Sequence, residues 1–343
     1  MPVSGEGAGR VELVHGDGGQ ASRSLIEEVF LSILGDEYLG GLDDAAILPG
    51  PGREGSLAFT TDSFVVSPWE FPGGDIGKLA VCGTVNDLAA CGAEPVWMSA
   101  GFILEEGLSL VCLRTAVRSM ARCLREAGVR LAACDTKVVE RGGGDGLYIN
   151  TSGIGFQLPE ADLAAERVRP GDAVLVSGPV GDHGVAVLAA REGMSFSTPV
   201  VSDCAPLGGL TGKLIRSLGD RVRFMRDPTR GGLATVLKEI ALGAGCDVVV
   251  EEERIPVRRE VRAAAEMLGL DPLYLANEGK MVLITDPDAA AEALRIMRGD
   301  PVGEAAEEIG RVESGRGLVR LITPLGGTRR LGLLVGDPLP RIC

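Results

Sequence analysis

The sequence predicts an α+β protein, α/β-like in its alternation, built as two domains with mixed sheets. Three observations carry this. The chain has 343 residues, long for a single hydrophobic core. Runs with helical spacing of apolar residues alternate with short β-type runs in both halves. Around residues 157–172 the chain turns polar and closes on Arg169-Pro170-Gly171-Asp172, a turn sequence that marks a boundary. The expected division is an N-terminal segment 1–42, a first domain 43–160, a second domain 170–323 and a tail 324–343.

The elements follow in order. Residues 1–10 are Gly-rich and expected to be disordered. Leu25 to Leu34 has helical spacing, and Ala58 to Ser63 reads as a strand with a polar end. Lys78 to Cys91 is expected as a helix with Leu79, Cys82, Val85 and Leu88 on one face. Leu110, Leu113, Val117, Met120 and Leu124 alternate steps of three and four, an amphipathic helix over 109–127 that Gly128 closes. Strands are expected at 131–134 and 147–151. In the second half, strands at 173–177, 247–250 and 281–285 alternate with helices at 183–192, 233–241, 258–268 and 289–298.

Composition excludes several functions. Hydrophobic residues are 45% and charged residues 24%, a soluble globular balance. Aromatics are only 4% against 50 glycines, so the cores must be aliphatic. The net charge of −14 repels nucleic acid and anionic membranes, and neither is expected as a partner. No apolar run reaches membrane-spanning length and no signal peptide is recognisable. The eight cysteines show no CxxC spacing and only two histidines accompany them, so zinc is not expected. Their apolar neighbours fit buried thiols in a reduced, cytoplasmic protein.

Carboxylates gather at turns and strand ends: Asp43-Asp44, Asp62, Asn86-Asp87 and Asp135 before Thr136-Lys137. Each alone is explained by a turn or a cap. Asp87 is the exception in kind, because Asn-Asp inside an apolar helix is a poor local choice. Gly-rich stretches at 15–19, 141–144, 177–184 and 230–232 could offer backbone N–H groups to phosphate, although none is a P-loop. Asn277-Glu278-Gly279-Lys280 reads as a turn that sets a carboxylate beside a glycine. His15 and His183 read as hydrogen-bonding residues rather than metal ligands. The sequence ends in Pro-Arg-Ile-Cys343. Pro338 and Pro340 stiffen the approach, and residues 336–343 could span on the order of 25 Å if extended. A terminal thiol on such an arm could enter a deep site as a tethered substrate. Taken alone, it is also simply where a chain stops.

Together, Asp43-Asp44-Ala-Ala, Thr60-Thr-Asp-Ser-Phe-Val-Val, the run from Ala80 to Ala93, Asp135-Thr-Lys-Val-Val-Glu140, Asp227-Pro-Thr-Arg-Gly-Gly-Leu-Ala and Asn277-Glu-Gly-Lys-Met-Val resemble the aminoimidazole ribonucleotide synthetase-like (PurM-like) ATP-binding superfamily. With the terminal Pro-Arg-Ile-Cys343, the resemblance is to its carbamoyl dehydratases of hydrogenase maturation. It implies a PurM-like fold with helices packed on one face of each sheet. It also implies a homodimer formed by the N-terminal domains, with ATP near that interface. Cys343 would receive a carbamoyl group from a carbamoyltransferase. ATP would then drive dehydration of this S-carboxamide to a thiocyanate. The cyanide would pass to an iron-scaffold complex, for the NiFe hydrogenase centre. Asp44, Asp62, Asp87 and Asp135 are the expected Mg²⁺ ligands, and Asn86, Gly142 and Gly143 are expected to join them at the nucleotide. Glu278 is expected as the base and Lys137 as the group that steadies developing oxygen charge. Cys134 departs from the family, which commonly has glycine before Asp-Thr-Lys. Two other readings stay open: another PurM-like enzyme, of selenophosphate synthetase or thiamine-phosphate kinase type, and a scaffold whose terminal thiol docks a partner. The first enzyme type wants a reactive cysteine near the N-terminus, where this chain's first is Cys82; the second has no use for a terminal thiol. Hydrolysis of ATP that depends on a carbamoylated tail would separate enzyme from scaffold.

Overall fold

The structure, a computed structural model, describes residues 10–12, 24–35, 56–194, 200–333 and 341–343. His15, Asp43, Asp44, Pro338 and Pro340 lie outside the described residues.

The first sheet is formed by β1 (Leu57–Phe64), β4 (Ala93–Glu105), β5 (Arg130–Val139) and β6 (Leu147–Gln157) in the order β1-β6-β4-β5. A two-residue hairpin, β2 (Glu70–Phe71) with β3 (Gly74–Asp75), leads into the first long helix, α1 (Ile76–Ala90). Asp75 caps α1, accepting from the N–H groups of Gly77 at 2.8 Å and Lys78 at 3.1 Å. α2 (Leu110–Ala127) begins at a Ser109 cap and ends on Gly128 in the left-handed conformation. Both helices cover one face of this sheet. The other face is open: Leu57 and Phe59 are exposed, Phe59 by 63%, and so is Ile103. β4 is not singled out in the sequence because small and polar residues interrupt its apolar positions.

The second sheet has the order β13-β12-β9-β11-β7-β10-β8. Its strands are β7 (Ala173–Val176), β8 (Val222–Arg226), β9 (Asp247–Glu251), β10 (Val282–Thr285), β11 (Glu307–Glu313), β12 (Val319–Ile322) and β13 (Thr328–Leu331). Its helices are α3 (Asp182–Arg191), α4 (Gly208–Leu218), α5 (Gly232–Ala244), α6 (Arg259–Leu268) and α7 (Ala290–Arg298). The expectation of helices on one face describes the first sheet; the second is covered on both. Val174 and Val176 meet α5 on one side, and Ala173 and Leu175 meet α4 and α7 on the other. That double burial is why all four residues of β7 are apolar.

α1 differs from its expected one-sided helix. Leu79, Cys82, Val85 and Leu88 are buried, and so are Ala80, Val81, Gly83, Thr84 and Asn86 around the rest of the circumference. The first sheet lies on one side and α4 of the second domain on the other. Residues of α3 and α6 join the first-domain core, so the seam between the domains is itself hydrophobic interior.

Candidate active site

The seam collects carboxylates. Asp62 lies on β1 and Asp87 in the last turn of α1; Asp227 follows β8, just ahead of α5. Thr60 donates to Asp87 Oδ2 at 3.0 Å, and Ser63 N–H donates to Asp62 Oδ1 at 2.7 Å. Burial raises the pKa of all three, and the Asp62 charge raises those of Asp87 and Asp227 further. Asp227 is pushed up to about 7, by burial first and by Asp87 next. A cavity of about 630 Å³ opens beside them, lined by Thr60, Asp87, Phe224, Arg226, Asp227 and Arg230. Carboxylates that repel one another beside arginines in a cleft suit a divalent cation bound through phosphate oxygens. Among the described residues no three His, Cys, Asp or Glu side chains close into a metal cage by themselves.

Glu278 sits on the turn before β10 and is 2% exposed. Its Oε1 has no hydrogen-bond partner. Burial raises its pKa well above the ordinary glutamate range, and the neighbouring Cys204, Asp227, Asp203 and Asp62 add to the rise. The turn is held from three sides. Asp203 accepts from Glu278 N–H at 3.1 Å and Gly279 N–H at 3.3 Å, and pairs with Lys280 Nζ at 3.2 Å. Asn277 accepts from Gly181 N–H at 2.7 Å and donates to Pro228 O at 2.8 Å. Asn86 donates to the carbonyls of Ala205 and Glu278, each at 3.1 Å, and accepts from Leu207 N–H at 2.8 Å. Gly279 is required here, because a Cβ would stand 1.9 Å from Asp203 O.

The last residues of the chain dock against the end of β1. Val65 N–H donates to Cys343 O at 3.1 Å and Ser67 N–H to Arg341 O at 3.2 Å. Arg341 returns a bond to Val65 O at 3.0 Å and pairs with Asp145. Ile342 is buried and Cys343 packs against the first core. Val65 is three residues past Asp62, about 10 Å along an extended strand.

The other expected residues lie elsewhere. Asp135 and Lys137 face outward on the open side of the first sheet and pair with each other at 2.9 Å. The register Asp135–Gly101–Asn150–Ser63 puts three strand spacings, about 14 Å, between Asp135 and the row next to Asp62. Of the expected metal carboxylates, Asp62 and Asp87 come together and Asp135 stands apart from them, while Asp44 is outside the described residues. Asn86, expected at the nucleotide, has its amide engaged with backbone groups of Ala205, Leu207 and Glu278. Gly142 and Gly143, expected there too, direct their N–H groups to Glu105 Oε1 at 2.7 Å and Glu140 O at 2.8 Å. The Cys134 thiol is pushed up to about 12 by burial and by Asp135. It is a poor nucleophile.

Asp203, Asp227 and Arg230 are the site residues that the sequence reading leaves unassigned. Asp227-Pro-Thr-Arg230 ahead of the Gly231-Gly232 helix start carried a legible signal for two of them. Asp203 carried none, since its partners are 75 and 76 residues away.

Known proteins match this chain over nearly its whole length. Residues 42–157 match the N-terminal domain of AIR synthase related proteins, and residues 169–322 match their C-terminal domain. The carbamoyl dehydratase HypE of Rhodobacter capsulatus is 53% identical over 97% of this chain and 98% of its own. A crystal structure of the hydrogenase maturation protein HypE in complex with ATP superposes with a TM-score of 0.92, at 48% identity over 97% of this chain and 99% of that one. A crystal structure of a HypE–HypF complex matches with a TM-score of 0.79, at 47% identity over 91% of this chain and 100% of that one.

Proposed function

The chain belongs to the HypE carbamoyl dehydratase family of AIR synthase-related proteins, and from that premise we propose that it uses ATP to dehydrate an S-carboxamide on its own Cys343 to a thiocyanate in hydrogenase maturation. The single observation that carries this is the Glu278 carboxyl. It is buried at the domain seam, where Asn86 of the first domain reaches its main-chain oxygen, with one side-chain oxygen unpartnered and its pKa raised.

The chemistry needs each part. A carboxamide oxygen leaves poorly, and transfer of the γ-phosphoryl of ATP onto it makes a good leaving group. Asp87 and Asp227, which line the cavity, would offer carboxylates to Mg²⁺, with Asp62 beside them, and its charge would offset that of the crowded phosphates. Arg226 and Arg230 line the same cavity and fit phosphate oxygens. Loss of phosphate then leaves C≡N only if both N–H protons depart. In its ionised form Glu278 can accept one at its free Oε1, where the raised pKa makes it the stronger base, and the other leaves on the departing phosphate. Seating Cys343 on β1 makes the reaction intramolecular.

The open face of the first sheet supports a homodimer. Leu57, Phe59 and Ile103 are exposed there, and Trp97 and Ile154 lie half-buried among them. Asp135 and Lys137 stand on that face and would meet the partner protomer. The HypE–HypF complex of a relative favours a carbamoyltransferase as donor. The fate of the product, transfer to an iron scaffold, follows from the family's role. The dehydratase reading implies a cytoplasmic protein; among the described residues no helix is long and apolar enough to cross a membrane.

The test is intact-mass analysis after incubation with carbamoyltransferase, carbamoyl phosphate and ATP. A carboxamide on Cys343 should appear and then lose one water when ATP is present. A chain that takes up no carbamoyl group, or keeps it unchanged with ATP, would end this reading.

A further inference from the structure

His183 is a fully buried residue in the first turn of α3, with its ring edge-to-face against Phe71 at 5.2 Å. Both ring nitrogens are engaged. Nε2 lies 2.8 Å from the carbonyl of Ile342, the residue before the terminal cysteine, and Nδ1 lies 2.8 Å from Ser202 Oγ. A carbonyl only accepts, so Nε2 carries the proton. Burial pushes the pKa of the imidazole down and favours the neutral ring, so Nδ1 accepts from the Ser202 hydroxyl. Ser202 Oγ also accepts from Cys204 N–H at 3.1 Å. The residue between them is Asp203, which holds the N–H groups of Glu278 and Gly279. Ala205 and Leu207, next along the same segment, hold Asn86, which holds the carbonyl of Glu278.

The histidine that meets the tail and the turn that carries Glu278 thus lean on one short stretch of chain, residues 202–207. We infer that His183 and Ser202 form a positioning relay, in which the ring grips the docked tail at Ile342 and the hydroxyl passes that state to the segment 202–207 that aligns Glu278. The inference rests on the dehydratase reading for its purpose, and on the hydrogen bonds alone for its geometry. When the tail leaves, the Nε2 proton loses its acceptor in a buried place, which favours the docked state by about tenfold to a hundredfold. A carboxylate displaced by about 1 Å can lose on the order of a hundredfold in rate. The segment therefore has reason to be set only while the tail is seated.

The test uses the full-length protein and three variants. His183→Leu should make Cys343 react about tenfold faster with iodoacetamide and slow single-turnover dehydration of the carbamoylated tail by tenfold or more, with MgATP affinity unchanged. His183→Gln keeps an N–H for Ile342 and an oxygen for Ser202, and should restore both properties. Ser202→Ala should leave alkylation at the wild-type rate while slowing dehydration. Wild-type alkylation in His183→Leu would overturn the grip, as would a His183→Gln variant that folds, binds MgATP and is as exposed as His183→Leu. Wild-type dehydration in Ser202→Ala would overturn the relay. If His183→Leu does not fold, the other two variants still decide. If the wild type itself never takes up a carbamoyl group, the functional reading has failed, and alkylation alone still judges the grip.

Discussion

The side-chain amide of Asn86 stands 3.1 Å from the main-chain oxygen of Glu278, a hydrogen bond that crosses from one domain to the other. Its two companions, to Ala205 O and Leu207 N–H, make the crossing a three-point clamp. Asn86→Ala strands buried backbone groups on both loops. It should lower stability by about 3 kcal/mol, read as a fall in thermal midpoint. It should also slow dehydration by loosening Glu278. An unchanged midpoint would show that the clamp is not needed.

Glu278→Gln keeps size and hydrogen bonding but cannot take a proton near neutral pH. The variant should accept the carbamoyl group on Cys343, bind ATP, and accumulate the carboxamide, with dehydration down about 10²–10⁴-fold. Mass spectrometry in a single turnover separates the two species by one water. Normal cyanide formation would place the base elsewhere.

Asp227, with a pKa of about 7 in the fold, sets a pH signature. Between its ordinary value near 4 and about 7, the native state keeps a proton that the unfolded chain has released, so stability falls as pH rises through that window. Asp62, Asp87 and Glu278 shift in the same direction. The thermal midpoint without nucleotide should therefore drop from about pH 5 to about pH 8, and magnesium with ATP should restore it most at the upper end. Asp227→Asn should flatten the slope and weaken magnesium-dependent ATP binding. A midpoint independent of pH in the wild type would count against the carboxylate cluster.

Cys343→Ala should abolish the carboxamide mass gain and leave ATP binding intact. Cys134→Ala should still take up the group, because burial holds that thiol protonated. Modification that survives loss of Cys343 would identify another carrier.

Lys137 points away from its own protomer's carboxylate cluster, from the open face of the first sheet. Phe59→Asp should convert a dimer to monomers in sedimentation and stop dehydration with it. Mixing Lys137→Ala with Glu278→Gln protomers should recover part of the activity if Lys137 serves the partner's site. A fully active monomeric Phe59→Asp variant would remove the dimer from the mechanism.

What could be read from the sequence follows the range of the forces. α2 is legible because its apolar stripe, Ser109 cap and Gly128 terminator are all local. α1 is legible as a helix but not in its burial, since its second covering layer comes from α4, more than a hundred residues away. β4 escapes notice because small and polar residues interrupt its apolar positions, and α4 because Gly208, Gly209 and Gly212 disguise the stripe of Leu210, Leu214, Ile215 and Leu218. At the site, motif residues such as Asp87 and Glu278 stand out chemically. Their division between two faces of one sheet does not, because Asp62 and Asp135 become separable only once the strand order is known. Asp203 and His183 act through partners remote in sequence, and no local pattern announces them.

α1 has no side facing water. Cutting the chain in the polar stretch between Gln157 and Ala173 would therefore not release two self-sufficient pieces. The first half would bare Val85 and its neighbours where Leu207 and Gly208 now lie, and the second would bare α4. Each fragment would expose a sticky face and call for co-expression with the other. Recombination that swaps one domain for a distant cousin's would have to rewrite α1 and the start of α4 together.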